Sequence, residues 1–206
     1  MEVIVEDLAV VRGGMRVLEG VGFRLEAGRA LVLRGPNGIG KTTLLRTLAG
    51  LQPADVGRVA PGPEVMAYAS HADGIKATLS VSENLAFWAG LHGVGSISEA
   101  LLDFNLEALE ARPAGSLSAG QKRRLGLARM AVTGRPIWLL DEPTVSLDLA
   151  SVGLFAAAVR RHLEAGGSAV IATHIDLGID GAEVLELGPF KAAPPEHDAD
   201  FHEAFL

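Results

Sequence analysis

Cysteine is absent from the 206 residues, which excludes disulfides and thiolate metal sites and suits a reducing compartment. No apolar run approaches the ~20 residues that a transmembrane helix needs, so work at a membrane would require another chain to hold this one there. A leader is not expected: Met1-Glu2-Val3-Ile4-Val5-Glu6-Asp7 carries acids where a secretory signal carries lysines. Excess positive charge is lacking too. The net charge of −7 argues against nucleic acid as a partner, because binding to a phosphate backbone rests on lysines and arginines that displace counterions. The one basic cluster, Lys122-Arg123-Arg124, is expected to be a solvated helix face. What remains is 49% hydrophobic, long enough to bury ~70% of its unfolded surface, and expected to form one domain over residues 1–206.

The rest is organised around Gly35-Pro36-Asn37-Gly38-Ile39-Gly40-Lys41-Thr42-Thr43, which fits G-x-x-x-x-G-K-[ST]. Ala30-Leu31-Val32-Leu33 ahead of it reads as a buried strand. Leu44, Leu45, Leu48 and Leu51 behind it recur at helical spacing until Gly50 and Pro53 stop the helix. Strand, glycine loop and helix together turn backbone N–H groups and a helix N-terminus toward one anion. Gly38 and Gly40 would let the backbone approach phosphates, Lys41 would reach the β- and γ-phosphates, and the Thr42 hydroxyl would ligate Mg²⁺. A nucleoside triphosphate is the ligand this stretch implies.

Val3–Val11 and Val17–Leu25 read as strands around the Gly13-Gly14 turn. The stretch 56–69 is broken by glycine and proline, with a strand expected at Val65–Ala69. A helical region follows, over about residues 72–133. Ser80-Val81-Ser82-Glu83 is a capping-box pattern opening a helix closed by Gly93, and Ser96-Ile97-Ser98-Glu99 repeats it. Phe87 and Trp88 are read first as packing residues, with a partner helix as the other reading. A third helix is expected from Ser118 to Gly134, a strand at Pro136–Leu140, a helix at Leu149–Leu163 capped by Asp148, and a strand at Ser168–Ala172. Fully apolar strands alternating with helices predict a mainly parallel sheet covered on both faces, with an antiparallel β portion ahead of it: an α/β phosphate-loop fold. Its strand ends at Gly35, Asp141 and His174 would share one edge, where open α/β sheets bind ligands. Residues 189–206 read as an irregular tail, whose His197 and His202 are expected to be solvated.

Asp141 follows an apolar strand, as a carboxylate holding Mg²⁺ beside a phosphate loop must. Glu142 comes next, placed to polarise a water for attack on the γ-phosphate. A helix cap is the plainer role for such an acid pair, but the neighbouring phosphate loop favours chemistry.

Between these motifs stands Leu117-Ser118-Ala119-Gly120-Gln121, which resembles the L-S-G-G-Q signature of the ATP-binding cassette family with Ala119 in place of one glycine. Ser146-Leu147-Asp148 is similar to that family's D-loop and His174 to its switch histidine. The resemblance implies an ATPase of cassette fold that works as a head-to-tail pair. ATP and Mg²⁺ would be held by residues 35–43 and Asp141 of one copy, with Ser118, Ala119, Gly120 and Gln121 contributed by the other. Lys41, Glu142 and His174 would be catalytic. Two positions depart from the family pattern: Arg12 stands where an aromatic residue stacks on adenine, and His71 replaces the Q-loop glutamine, so both become candidate site residues, His71 toward Mg²⁺. Arg12 can still lie flat on a base.

His71-Ala72-Asp73-Gly74-Ile75-Lys76, Glu83-Asn84-Leu85-Ala86-Phe87-Trp88 and Val132 to Leu140 resemble one group of cassettes, the ATP-binding subunits of the haem-exporting transporters of cytochrome c biogenesis. That resemblance implies a peripheral protein on the cytoplasmic face of a bacterial inner membrane. It would bind an integral membrane subunit and other cytochrome c maturation proteins, and power haem delivery or release of a haem chaperone. The alternatives are the ATPase subunit of another small-substrate transporter, a soluble cassette acting on nucleic acid, and an inactive nucleotide-binding module. The intact Lys41, Asp141, Glu142 and His174 argue against the last.

Overall fold

The glycine pair at 13 and 14 turns the chain back on itself, so β1 (Val3–Arg12) and β2 (Met15–Leu25) pair antiparallel, with Arg12 opposite Met15 at the turn. A third strand, β4 (Val56–Ala60), pairs antiparallel with the other side of β1 and completes a sheet of order β2-β1-β4. The sequence does not announce β4. It is a short edge strand, exposed over most of its length, and has no apolar alternation to read. The computed structural model describes residues 1–193.

The second sheet is parallel throughout. Its order is β5 (Met66–Ala69), β6 (Ile137–Asp141), β7 (Ser168–Ala172), β3 (Ala30–Arg34), β8 (Glu183–Glu186). The central strands β6 and β7 are buried at every residue, which is why they read as unbroken apolar runs. β8 is a mostly exposed edge that the sequence reading leaves as coil. Alternation divides the strand residues between two cores. Leu31, Leu33, Leu139 and Val170 join Leu44, Leu45 and Leu48 of α1 (Lys41–Leu48) and the antiparallel sheet. Trp138, Leu140, Ala169 and Ile171 join α2 (Val81–His92), α4 (Ala119–Ala131) and α5 (Leu149–Glu164). Each fully buried leucine contributes roughly 1.5–3 kcal/mol, so the sheet is clamped from both faces and its strand ends are held fixed.

Helix starts follow their caps. Ser80 and Ser118 each form a complete capping box, with Glu83 and Gln121, and Asp148 accepts from Ser151 N–H. Each cap contributes ~1 kcal/mol. The expected box at Ser96 does not form. Helix α3 (Ser98–Asp103) starts after Ile97 with no side-chain cap, and the Ser96 hydroxyl accepts a local bond from Ser98 N–H. A hydroxyl two residues ahead closes a turn instead of capping.

The basic cluster departs from the solvated face expected of it. Arg123 is only 3% exposed and Arg124 donates to the carbonyls of Phe104 and Asn105. Residues 188–190 form a short turn of 3-10 helix, and Lys191 bridges back to Leu18. His197 and His202 lie outside the described residues.

Candidate nucleotide-binding site

Helix α1 differs from its capped neighbours in a way that matters for ligands. Its N-cap is Gly40, no side chain bonds its first turn, and no acid sits there. The orphan N–H groups of that turn therefore point into the loop without an internal partner, a ready anion site. Gly40 is required for a local reason: its φ of 122° is foreign to L side chains, and a Cβ there would lie 3.0 Å from Leu18.

Around this loop the parallel strands deliver their ends. Lys41, from α1, is almost wholly buried; its ammonium donates to the carbonyls of Gly35 at 2.7 Å and Pro36 at 3.4 Å. Thr42 donates to Asp141 Oδ1 at 3.0 Å, joining the loop to the tip of β6. His174, just past β7, puts Nε2 within 3.2 Å of Lys41 Nζ, 3.0 Å of Asn37 Oδ1 and 3.5 Å of Glu142 Oε1. Glu142 holds φ at 46°, a left-handed conformation that is strained for a non-glycine residue, costing on the order of 1–3 kcal/mol. Its N–H donates to Ala172 O at 2.9 Å, which anchors this turn to β7.

A cleft of about 200 Å³ is lined by Arg12, Asn37, Gly38, Gly40, Lys41, Thr42, Thr43, Asp141 and Glu142. Arg12 arrives there from the β1–β2 turn. Ser118, Ala119, Gly120 and Gln121 do not line it; Ser118 is exposed at the start of α4, its hydroxyl engaged in the capping box. His71 is exposed in the loop after β5 and is also away from the cleft lining.

Tyr68 is a residue that sequence reasoning missed. Its hydroxyl donates to Asp141 Oδ2 at 3.2 Å, so Thr42 and Tyr68 together fix both oxygens of that carboxylate. Burial, then the neighbouring Asp141 charge, push the phenol pKa well up, so the group stays a donor. The signal available was position: Tyr68 sits on β5, the strand paired with β6.

The phosphate loop after β3, the two acids at the tip of β6 and the histidine past β7, the strand between those two, make up a nucleotide-hydrolysing site of cassette type. A family profile described as ABC transporter matches residues 18–145, and the chain belongs to that family as an ATPase subunit. Among curated relatives it is 68% identical over 209 residues to the cytochrome c biogenesis ATP-binding export protein CcmA of Rhodobacter capsulatus, covering 98% of each chain. It is 64% identical over 204 residues to the protein of the same name from Paracoccus denitrificans, covering 98% of this chain and 97% of that one. A putative ABC transporter ATP-binding protein from Pyrococcus furiosus shares the fold, with a TM-score of 0.83 at 25% identity over 93% of this chain and 100% of that one.

Proposed function

We propose that this chain hydrolyses ATP to drive the export step of cytochrome c biogenesis, delivering haem or releasing a haem chaperone. The observation that carries the hydrolytic part is the meeting of Lys41, Thr42, Asp141, Glu142 and His174 from three separate elements at one end of the sheet. The export part draws on the names of the relatives.

The residues suit a hard cation. A threonine hydroxyl and a carboxylate oxygen, 3.0 Å apart, are the oxygen donors Mg²⁺ prefers. No group of three His, Cys, Asp or Glu able to hold a metal occurs among the described residues, so the ion would share its shell with phosphate oxygens and water. Thr42 and Asp141 would hold it, and it would supply positive charge to offset that of the phosphates. The α1 N-terminus and Lys41 bind the phosphates, Arg12 lies against the base, Glu142 takes a proton from the attacking water, and His174 holds Glu142 and the γ-phosphate in register.

Ser118 to Gln121 lie outside the cleft, which supports a second copy supplying them in a head-to-tail pair. No helix among the described residues is long and apolar enough to cross a membrane, which supports a peripheral place at the inner membrane beside an integral subunit. A groove of about 370 Å³ between residues 74–79 and α2, where Phe87 is 58% exposed, suits a helix of that subunit. The loop carrying His71 leads in sequence from β5 to the groove residues 74–79. His71 would reach Mg²⁺ or the attacking water only after that loop moves.

The test is purification from membranes through a tag on this chain. An integral membrane protein should copurify, and the complex should hydrolyse ATP at a rate that Lys41→Ala reduces to background. A complex whose hydrolysis survives Lys41→Ala, or a chain that brings down no membrane protein, would overturn the proposal.

A further inference from the structure

Arg123 lies in the first turns of α4, and its buried guanidinium gathers four hydrogen bonds from two separate segments. Nη2 donates to Glu142 O at 2.9 Å and Nε to Pro143 O at 3.0 Å. On its other side Nη1 donates to Ser70 O at 2.8 Å and to Asp73 Oδ1 at 3.2 Å, the latter an ion pair. One turn further along the same helix face, Gly126 brings α4 against that second segment: a Cβ there would stand 3.0 Å from the Asp73 Cα. The helix that starts at Ser118 is thus pinned to the 70–73 loop by a close approach and by the same arginine that holds the Glu142–Pro143 backbone.

We propose that Arg123 is a positioning residue for Glu142, fixing the strained turn that aims its carboxylate and tying that turn to the 70–73 loop through Asp73. Glu142 sits at positive φ with its N–H held by Ala172 O. Arg123 secures the carbonyl end of the same residue, so neither flanking peptide can rotate away. Only a planar fork of N–H donors spans carbonyls on both sides at once; a lysine ammonium offers three donors from one point. Without the guanidinium, three carbonyls lose their partner and Asp73 loses its counter-ion. A shift of residues 70–73 would therefore be passed to the general base through one side chain. This inference rests on the ATPase reading above.

The experiment uses the chain in complex with its membrane subunit. Arg123→Gln should lower kcat for ATP hydrolysis ~10–100-fold, the scale expected when a reacting group is slightly misplaced. KM and the Kd for a fluorescent ATP analogue should stay within ~2-fold, because the phosphate loop is untouched. Arg123→Lys, which keeps the charge and part of the donor set, should give an intermediate kcat. A folded Arg123→Gln complex with kcat within ~2-fold of the parent, or with nucleotide affinity falling in step with kcat, overturns the proposal. If Arg123→Gln does not fold, Asp73→Asn carries the test, since it leaves the carbonyl bonds in place. It should reduce kcat ~3-fold or more at unchanged Kd, and a parental kcat would overturn the proposal. A parental complex that hydrolyses no ATP sinks both readings; one whose Lys41-dependent hydrolysis is indifferent to Arg123 and Asp73 sinks this one alone.

Discussion

Two histidines mark opposite ends of the parallel sheet, and their surroundings differ in kind. His174, at the ends where the strands finish, has a side chain 51% exposed, and one ring nitrogen faces an ammonium, an amide oxygen and a carboxylate. That nitrogen can accept from Lys41 or donate to Asn37 and Glu142, never both at once. His162, where the strands begin, faces only acceptors: Nε2 lies 3.1 Å from Pro136 O and 3.2 Å from Ser168 O, which fixes it as the protonated nitrogen. Its ring stacks on Trp138 with centroids 4.0 Å apart. The larger cavity, about 270 Å³ against 200 Å³, is the one beside His162. Volume alone is therefore a poor guide to chemistry here. At His174 one nitrogen faces a donor and two acceptors that compete for it, whereas at His162 the partners agree on one role and hold the fold.

The strongest way to break this comparison is at Glu142. If the strand-finish end does chemistry, Glu142→Gln should keep ATP affinity and cut turnover by ~10²–10⁴-fold, the span of a general base. Equilibrium binding of a fluorescent ATP analogue beside steady-state phosphate release would separate the two effects. Turnover near the parental rate would show that the carboxylate does not activate water.

A second test asks whether that end is complete in one chain. Ser118→Arg adds bulk and charge at the exposed start of α4, away from its own cleft. Nucleotide affinity should stay within ~2-fold while hydrolysis falls ~10²-fold, comparable to losing one donor to developing charge. Mixed with Lys41→Ala chains, which are also inactive alone, it should regain activity, because each mixed pair retains one intact composite site. Mixtures no faster than the separate variants would argue against shared sites.

Much of the reacting end was legible because its residues are contiguous or follow unbroken apolar runs. Residues 30–48 announce a strand, a turn and a helix in one stretch, and Asp141 ends a strand apolar enough to read as buried. The capping box at Ser80 is a local rule and formed, the one expected at Ser96 did not, and Ser118 closes a box where only a helix start was expected. What stayed hidden depends on contacts between distant segments. Arg123 looked like one of three solvated cations, and nothing in Lys122-Arg123-Arg124 reveals that its fork closes on residues 70–73 and 142–143. Tyr68 needed the β5–β6 pairing before it could be placed on Asp141. The edge strands β4 and β8 were unread because exposed edges carry no periodic apolar signal.

The smallest expected effect lies at the strand-start end and concerns pH. Burial lowers the His162 pKa below its usual value, outweighing the two carbonyl bonds that act the other way. The folded chain therefore binds a proton there less readily than the unfolded chain, whose histidine titrates near ~6.5. The sign follows: the stability that neutral His162 contributes is fully present above about pH 6.5 and is lost as pH falls through the lower folded-state value. Thermal unfolding should thus show Tm level above that pH and declining below it, each kcal/mol lost lowering Tm by ~2–4 °C in a chain of this size. His162→Gln retains an N–H donor for Pro136 O and Ser168 O but cannot titrate. It should lower Tm at neutral pH through lost stacking on Trp138, yet flatten the decline toward acid. Because other groups titrate in the same range, the informative quantity is the difference in slope between variant and parent. Parallel Tm curves from pH 7.5 to 5 would mean that His162 does not set the acid limb, and that the two ends of the sheet differ less in their protonation chemistry than their geometry indicates.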